Sequence, residues 1–166
     1  SLVKRGRKMR NTKYLLQAAV IAAAYSALTI VLMPFSYGIM QVRVSEALTI
    51  LPYYTPAAIP GLFVGCLVSN MISPYGILDM VLGSSATLIA AVGSYLLRKK
   101  SFLVPLPPII ANGIVIGSML YYAYAVPMPL FACILWVALG ELIACYGIGY
   151  PLLQYLKKYK KIFELH

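Results

Sequence analysis

Acidic side chains are scarce in this sequence: four Asp and Glu stand against 14 Lys and Arg in 166 residues. Only 11% of the residues are charged, while 61% are apolar. Soluble domains average about 25% charged and about 45–50% apolar residues. A soluble core of this size could not bury the surplus, so lipid must be its solvent. Histidine occurs once, as the last residue His166, and no His/Cys ligand set is present. The cysteines Cys66, Cys133 and Cys145 show no C-x-x-C spacing and read as small buried hydrophobes. Nor is there a phosphate-binding loop; Gly147 and Gly149 stand in apolar sequence without a lysine. No metal site, no cofactor in this chain and no ATPase of its own are therefore expected.

The positive charge is abundant but localised. Lys4, Arg5, Arg7, Lys8, Arg10 and Lys13 open the chain. Arg98, Lys99 and Lys100 form a second cluster, and Lys157, Lys158, Lys160 and Lys161 a third. Only Arg43 lies elsewhere. Basic clusters that flank long apolar stretches are topology signals, which argues against a nucleic-acid surface. No cleavable signal peptide is expected, because no small-residue cleavage pattern follows the first apolar stretch. The chain opens at Ser1, so Met9 is a candidate start and residues 1–8 carry no structural weight.

A spanning helix needs about 20 mostly apolar residues. Segments 14–33, 76–97, 104–125 and 128–156 qualify, the last two being divided by Pro127 and Pro129. Between them, Pro34, Pro52, Pro56, Pro60 and Pro74 interrupt the pattern. The expected reading is a loop at 34–43, a short helix at 44–55 and another at 57–73. Charge tests the count: six crossings put all three basic clusters on one face, whereas five strand one cluster outside. The expected fold is an all-α membrane protein of six transmembrane helices with both termini cytoplasmic. Residues 1–13 form a basic tail, 14–157 the six-helix domain and 158–166 a second tail.

Against that frame the acids stand out. Glu164 lies in the basic tail, but Glu46, Asp79 and Glu141 fall within or beside spans. A charge at the bilayer centre costs about 2.5–3.5 kcal/mol on insertion scales, so such groups have partners or line watery cavities. Glu141 is the deepest, roughly 20 Å along its helix from residue 128, with no cation near it in sequence. It is read as a ligand contact or as a structural carboxyl. Arg43 and Glu46 are three apart and share a helix face; a local salt bridge and a ligand role both stand. Asp79 either favours the positive end of its helix or meets a ligand. Asn70 and Asn112 have amides that need partners in lipid; Asn112 is read as a bridge between helices, and Asn70 as closer to the ligand mouth. Tyr37, Tyr75 and Trp136 are candidates to stack on a flat ligand. In the first helix Ala18, Ala19, Ala22, Ala23 and Ala27 form overlapping spacings of four, a small-residue stripe that allows close helix approach.

Several motifs carry a family resemblance. They are Met33-Pro34-Phe35-Ser36-Tyr37-Gly38, Gln41-Val42-Arg43-Val44-Ser45-Glu46-Ala47-Leu48-Thr49 and Leu51-Pro52. Thr55-Pro56-Ala57-Ala58-Ile59-Pro60-Gly61-Leu62-Phe63-Val64-Gly65-Cys66, Gly76-Ile77-Leu78-Asp79, Pro105-Leu106-Pro107-Pro108 and Gly140-Glu141-Leu142-Ile143-Ala144-Cys145-Tyr146 continue it. Over about residues 12–158 the sequence resembles the QueT family, substrate-binding S-components of energy-coupling factor transporters. The resemblance implies uptake of a queuosine precursor, a 7-deazaguanine, at a bacterial plasma membrane. It also implies partners: a transmembrane coupling protein and two cytoplasmic ATPases that use ATP and magnesium. The alanine stripe is then the docking face for the coupling protein. Glu141 and Glu46 become the first candidates for the base, with Asn70 and Gln41 reading its edge and loop 34–43 acting as a lid. An S-component for another vitamin or nucleobase, or a stand-alone proton-coupled carrier, is the alternative.

Overall fold

The computed structural model describes residues 2–32, 44–73 and 76–164. The first helix, α1, runs Leu2–Val31. It continues through the basic segment 2–13, where nearly every residue is exposed. At about 45 Å it exceeds a hydrocarbon core of about 30 Å, so its basic end stands clear of lipid. A 3-10 helix follows at Val44–Tyr53, then α2 (Ala58–Asn70), α3 (Gly76–Leu96) and α4 (Leu106–Tyr122). The last rod begins as α5 (Leu130–Leu142), widens into a π-helix at Ile143–Gly149 and closes as α6 (Tyr150–Leu156). No strand occurs among the described residues.

Four stretches are long and apolar enough to cross a membrane: Leu2–Val31, Gly76–Leu96, Ser101–Tyr122 and Leu130–Phe163. The 3-10 helix and α2 are each only about 20 Å long. Both irregular segments have local causes. Pro52 lacks the N–H that an α-helix would require there. The Thr49 hydroxyl donates to the Glu46 carbonyl at 2.6 Å, tightening the turn. In the last rod Pro151 cannot donate to the carbonyl of Gly147, and the ladder widens just upstream.

Side-chain contacts give the direction of every element. Thr29 meets Ser45 at 2.6 Å and Thr55 donates to Gln17 at 2.7 Å, so the 3-10 helix runs antiparallel to α1. The missing Cβ of Gly61 would lie against Ala18 and Ile21, and that of Gly65 against Ala22 and Tyr25. α2 therefore runs parallel to α1. Ser94 donates to the Val104 carbonyl across the α3–α4 turn, while Gly113 faces Ala138 and Gly117 faces Ile134 across α4 and α5. The described elements thus run alternately up and down the bundle. Its three basic clusters fall at one end.

The 3-10 helix is central, packed on α1, α2, α3, the π-helix and α6. Ser45, Glu46, Ala47, Thr49, Ile50, Leu51 and Pro52 are buried. Irregular backbone survives in a membrane where protein rather than lipid surrounds it. Lipid instead meets the exposed apolar residues of the outer helices, among them Val20, Ile30, Val81, Ile89, Ile114 and Leu135.

Two G-x-x-x-G pairs, Gly61/Gly65 and Gly113/Gly117, bring neighbouring helices close together. A Cβ at Gly117 would lie 2.6 Å from Ile134 Cα, a backbone atom that cannot swing aside. Gly147 has open space around its missing Cβ. Gly117→Val is expected to destabilise the fold by about 1–3 kcal/mol through overpacking. Gly147→Ala should leave the melting temperature in detergent near that of the unsubstituted protein.

Candidate functional site

A small cavity lies between the elements, lined by Glu46, Cys66, Asn70, Asp79, Gly83, Asn112, Ile116 and Glu141. Five elements contribute: the 3-10 helix, α2, α3, α4 and α5. Glu46, Asn70 and Asp79 come from element ends that face away from the basic clusters. The cavity therefore belongs to the opposite half of the bundle. Asp79, Asn70, Glu46, Glu141 and Asn112 are only 1–5% exposed.

Several of these polar groups are tied to another element or to their own helix. Tyr25 of α1 donates its hydroxyl to Glu46 Oε1. The Cys145 thiol sits between the two glutamates. It lies 3.6 Å from Glu141 Oε2, 3.6 Å from the Glu46 carbonyl and 3.5 Å from Thr49 Oγ1. Asn70 Nδ2 donates to the Asp79 carbonyl at 3.2 Å and to Cys66 Sγ at 3.5 Å. Asn112 Nδ2 donates to the Pro108 carbonyl at 3.0 Å. Gly83 makes room for the Asn70 amide: a Cβ there would stand 2.5 Å from Nδ2.

The sequence expectations sort themselves on this geometry. Glu46, Asp79, Glu141 and Asn70, distant in sequence, line one cavity. Asn112, read as a bridge between helices, joins them. Tyr37, Gln41, Arg43 and Tyr75, together with the expected lid 34–43, lie outside the described residues. Trp136 does not stack over the cavity. It is 39% exposed on the outer face of α5 beside Phe131, Leu135 and Leu139. The reason is angular: five residues of helix turn it about 140° away from Glu141. The alanines divide as well. Ala18 and Ala22 pack against the α2 glycines, whereas Ala19, Ala23 and Ala27 are exposed on the outer side of α1.

Sequence reasoning missed Tyr25, Cys145, Cys66 and Gly83. Tyrosine, cysteine and glycine are ordinary in apolar segments, so none carried a signal alone. Cys145 stands four residues after Glu141 and hence on its face, which was a usable clue.

In chemical terms the cavity offers three carboxyl groups and two amides, with no lysine or arginine among its described lining residues. That set suits a small ligand rich in hydrogen-bond donors. The cavity measures about 10 Å³, room for roughly one water. Ordinary small-molecule pockets measure about 300–1,000 Å³. The lining elements must part to admit anything larger.

Comparison with known proteins now bears on this site. The family profile described as QueT transporter matches residues 15–158. A curated relative from Lactococcus lactis subsp. cremoris (strain MG1363), the queuosine precursor transporter QueT, is 33% identical over 84 residues. That alignment covers 49% of this chain and 49% of the relative, about half the length of each. No solved structure matches this chain.

The three cysteines are free thiols and all are buried. Brief treatment with N-ethylmaleimide should add no mass to the folded protein and three adducts after denaturation in SDS. Separation of the cavity walls should expose Cys66 and Cys145 before Cys133, which packs with Ile116, Leu120 and Val137 between α4 and α5. Peptide mass mapping of partially labelled protein checks the order.

Proposed function

Because the chain belongs to the QueT transporter family, a group of multi-pass proteins of the bacterial plasma membrane, we propose that it is the substrate-binding S-component of an energy-coupling factor importer. Its ligand is a queuosine precursor of the 7-deazaguanine class, captured outside the cell. The observation that carries this reading is the gathering of Glu46, Asp79, Glu141, Asn70 and Asn112 around one buried cavity.

The ligand chemistry suits those groups. A 7-deazaguanine presents a ring N–H beside an exocyclic amine, and one carboxylate accepts both in a bidentate pair. An aminomethyl group adds an ammonium that a second carboxylate receives. The amides of Asn70 and Asn112 are matched to the carbonyl and ring edge. Arg43, Gln41, Tyr37 and Tyr75 are proposed as further ligand contacts.

We propose six membrane crossings with both termini cytoplasmic, a reading supported by the alternating directions of the described elements and by three basic clusters at one end. The cavity half then faces outward. Energy comes from partners: a transmembrane coupling protein docks on the exposed stripe Ala19, Ala23 and Ala27, where small side chains let another helix approach closely. Two cytoplasmic ATPases using ATP and magnesium complete the importer.

Calorimetry on the purified protein with guanine, 7-deazaguanines and vitamins tests the ligand class. Glu141→Gln is expected to weaken 7-deazaguanine binding at least ~30-fold, the scale of a lost partner in a buried charge-assisted pair, with the fold intact. Unchanged affinity would sink the role of Glu141. Tight binding of a vitamin instead would assign another ligand, and uptake by the reconstituted chain alone would indicate a self-sufficient carrier.

A further inference from the structure

Tyr25 heads the fully buried side chains by size, with no exposed surface. Its ring belongs to the apolar cluster of Ile21, Ile50, Leu62, Cys66 and Leu153. A phenylalanine would fill that volume equally well, and a buried hydroxyl is costly unless hydrogen-bonded. The hydroxyl donates to Glu46 Oε1, and Glu46 lines the cavity. A hydroxyl that donates to a carboxylate makes a strong, short and directional bond. The surrounding contacts lock its origin: Ser26 donates to the Gly65 carbonyl at 3.1 Å, Thr29 meets Ser45 at 2.6 Å, and a Cβ at Gly65 would lie 2.9 Å from Tyr25 Cβ. Tyr25 is thus fixed on α1 while its one polar atom reaches across to the 3-10 helix.

We infer that Tyr25 is a positioning residue for ligand recognition: its hydroxyl holds the Glu46 carboxylate in the orientation that meets the ligand. Tyr25 itself lines no part of the cavity. The inference rests on the proposed binding function and adds a residue on α1, which contributes none of the cavity's lining residues. α1 then has two faces. Ala19, Ala23 and Ala27 are exposed on one, and Tyr25 and Thr29 are buried on the other.

The test is a double-mutant cycle on the intact purified protein, with an aminomethyl-7-deazaguanine as the calorimetric ligand. Tyr25→Phe keeps the ring and removes only the hydroxyl. It should weaken binding about 10-fold, the scale of a hydrogen bond to a charged group. In a Glu46→Gln background, or Glu46→Asp where Gln leaves no measurable binding, Tyr25→Phe should cause no comparable further loss. An equal loss in both backgrounds would reduce Tyr25 to packing and overturn the inference, as would full affinity in Tyr25→Phe. Should Tyr25→Phe not fold, 3-fluorotyrosine at position 25 keeps ring and hydroxyl but alters its acidity. Affinity should then change with Glu46 present and stay constant with it substituted. If Glu46→Gln and Glu141→Gln weaken binding but Tyr25→Phe does not, only the role of Tyr25 fails. If the unsubstituted protein binds no 7-deazaguanine, the functional reading fails and this inference with it.

Discussion

Carboxyl groups in a low-dielectric interior require donors, and this requirement organises the bundle. Three acids lie within it on three separate elements: Glu46 on the 3-10 helix, Asp79 on α3 and Glu141 on α5. At a cost of about 2.5–3.5 kcal/mol for a charge at mid-membrane, none could face lipid. They converge on one cavity, where the Tyr25 hydroxyl and the Cys145 thiol reach two of them. The amides of Asn70 and Asn112 line the same space. A site gathered from five elements holds its geometry only if those elements hold theirs.

Close approach supplies that rigidity. Gly61 and Gly65 bring α2 onto the backbone of α1 at Ala18 and Ala22, and Gly113 and Gly117 bring α4 onto α5. Lipid tails give no hydrophobic drive for helices to associate, so packing contacts and hydrogen bonds have to hold them. The two irregular segments sit where those pairs shield them. The 3-10 helix and the π-helix pack on each other, and Gly149 lets the Ala47 backbone come near. Both would be unsuited to a lipid-facing position, and both carry or adjoin the glutamates.

How much of this was legible in the sequence depended on whether a residue looked out of place. Glu46, Asp79, Glu141 and Asn70 are polar groups in apolar runs, so each announced a constraint, and all four line the cavity. The proline pattern located the short elements at 44–53 and 58–70 to within a few residues. Tyr25 gave no such sign, because tyrosine is common in membrane segments and its partner is 21 residues away in sequence; Cys145 is signalled only by its spacing of four from Glu141. Trp136 is near Glu141 along the chain but not in space, because the helical turn points it outward. The alanines failed to resolve for the same reason. Ala18 and Ala19 are adjacent in sequence but about 100° apart around the helix, and only their neighbours decide which faces inward.

The glycine contacts also bear on how a cavity of about 10 Å³ could admit a ligand. At the α1–α2 and α4–α5 seams backbone atoms of one helix approach the glycines of the other, with the side chains of Ile21 and Ile134 packed beside them. Opening either seam would forfeit dispersion contacts along several turns. Side chains, by contrast, mediate the reach of Tyr25 from α1 to the 3-10 helix and the placement of Cys145 beside both glutamates. Hydrogen bonds of this kind can be exchanged for bonds to a ligand at little net cost. The physically economical opening therefore keeps the two glycine-seamed pairs intact and separates the groups between them. On the proposed function, the carboxylates then trade internal donors for those of the ligand, and each pair moves as a unit.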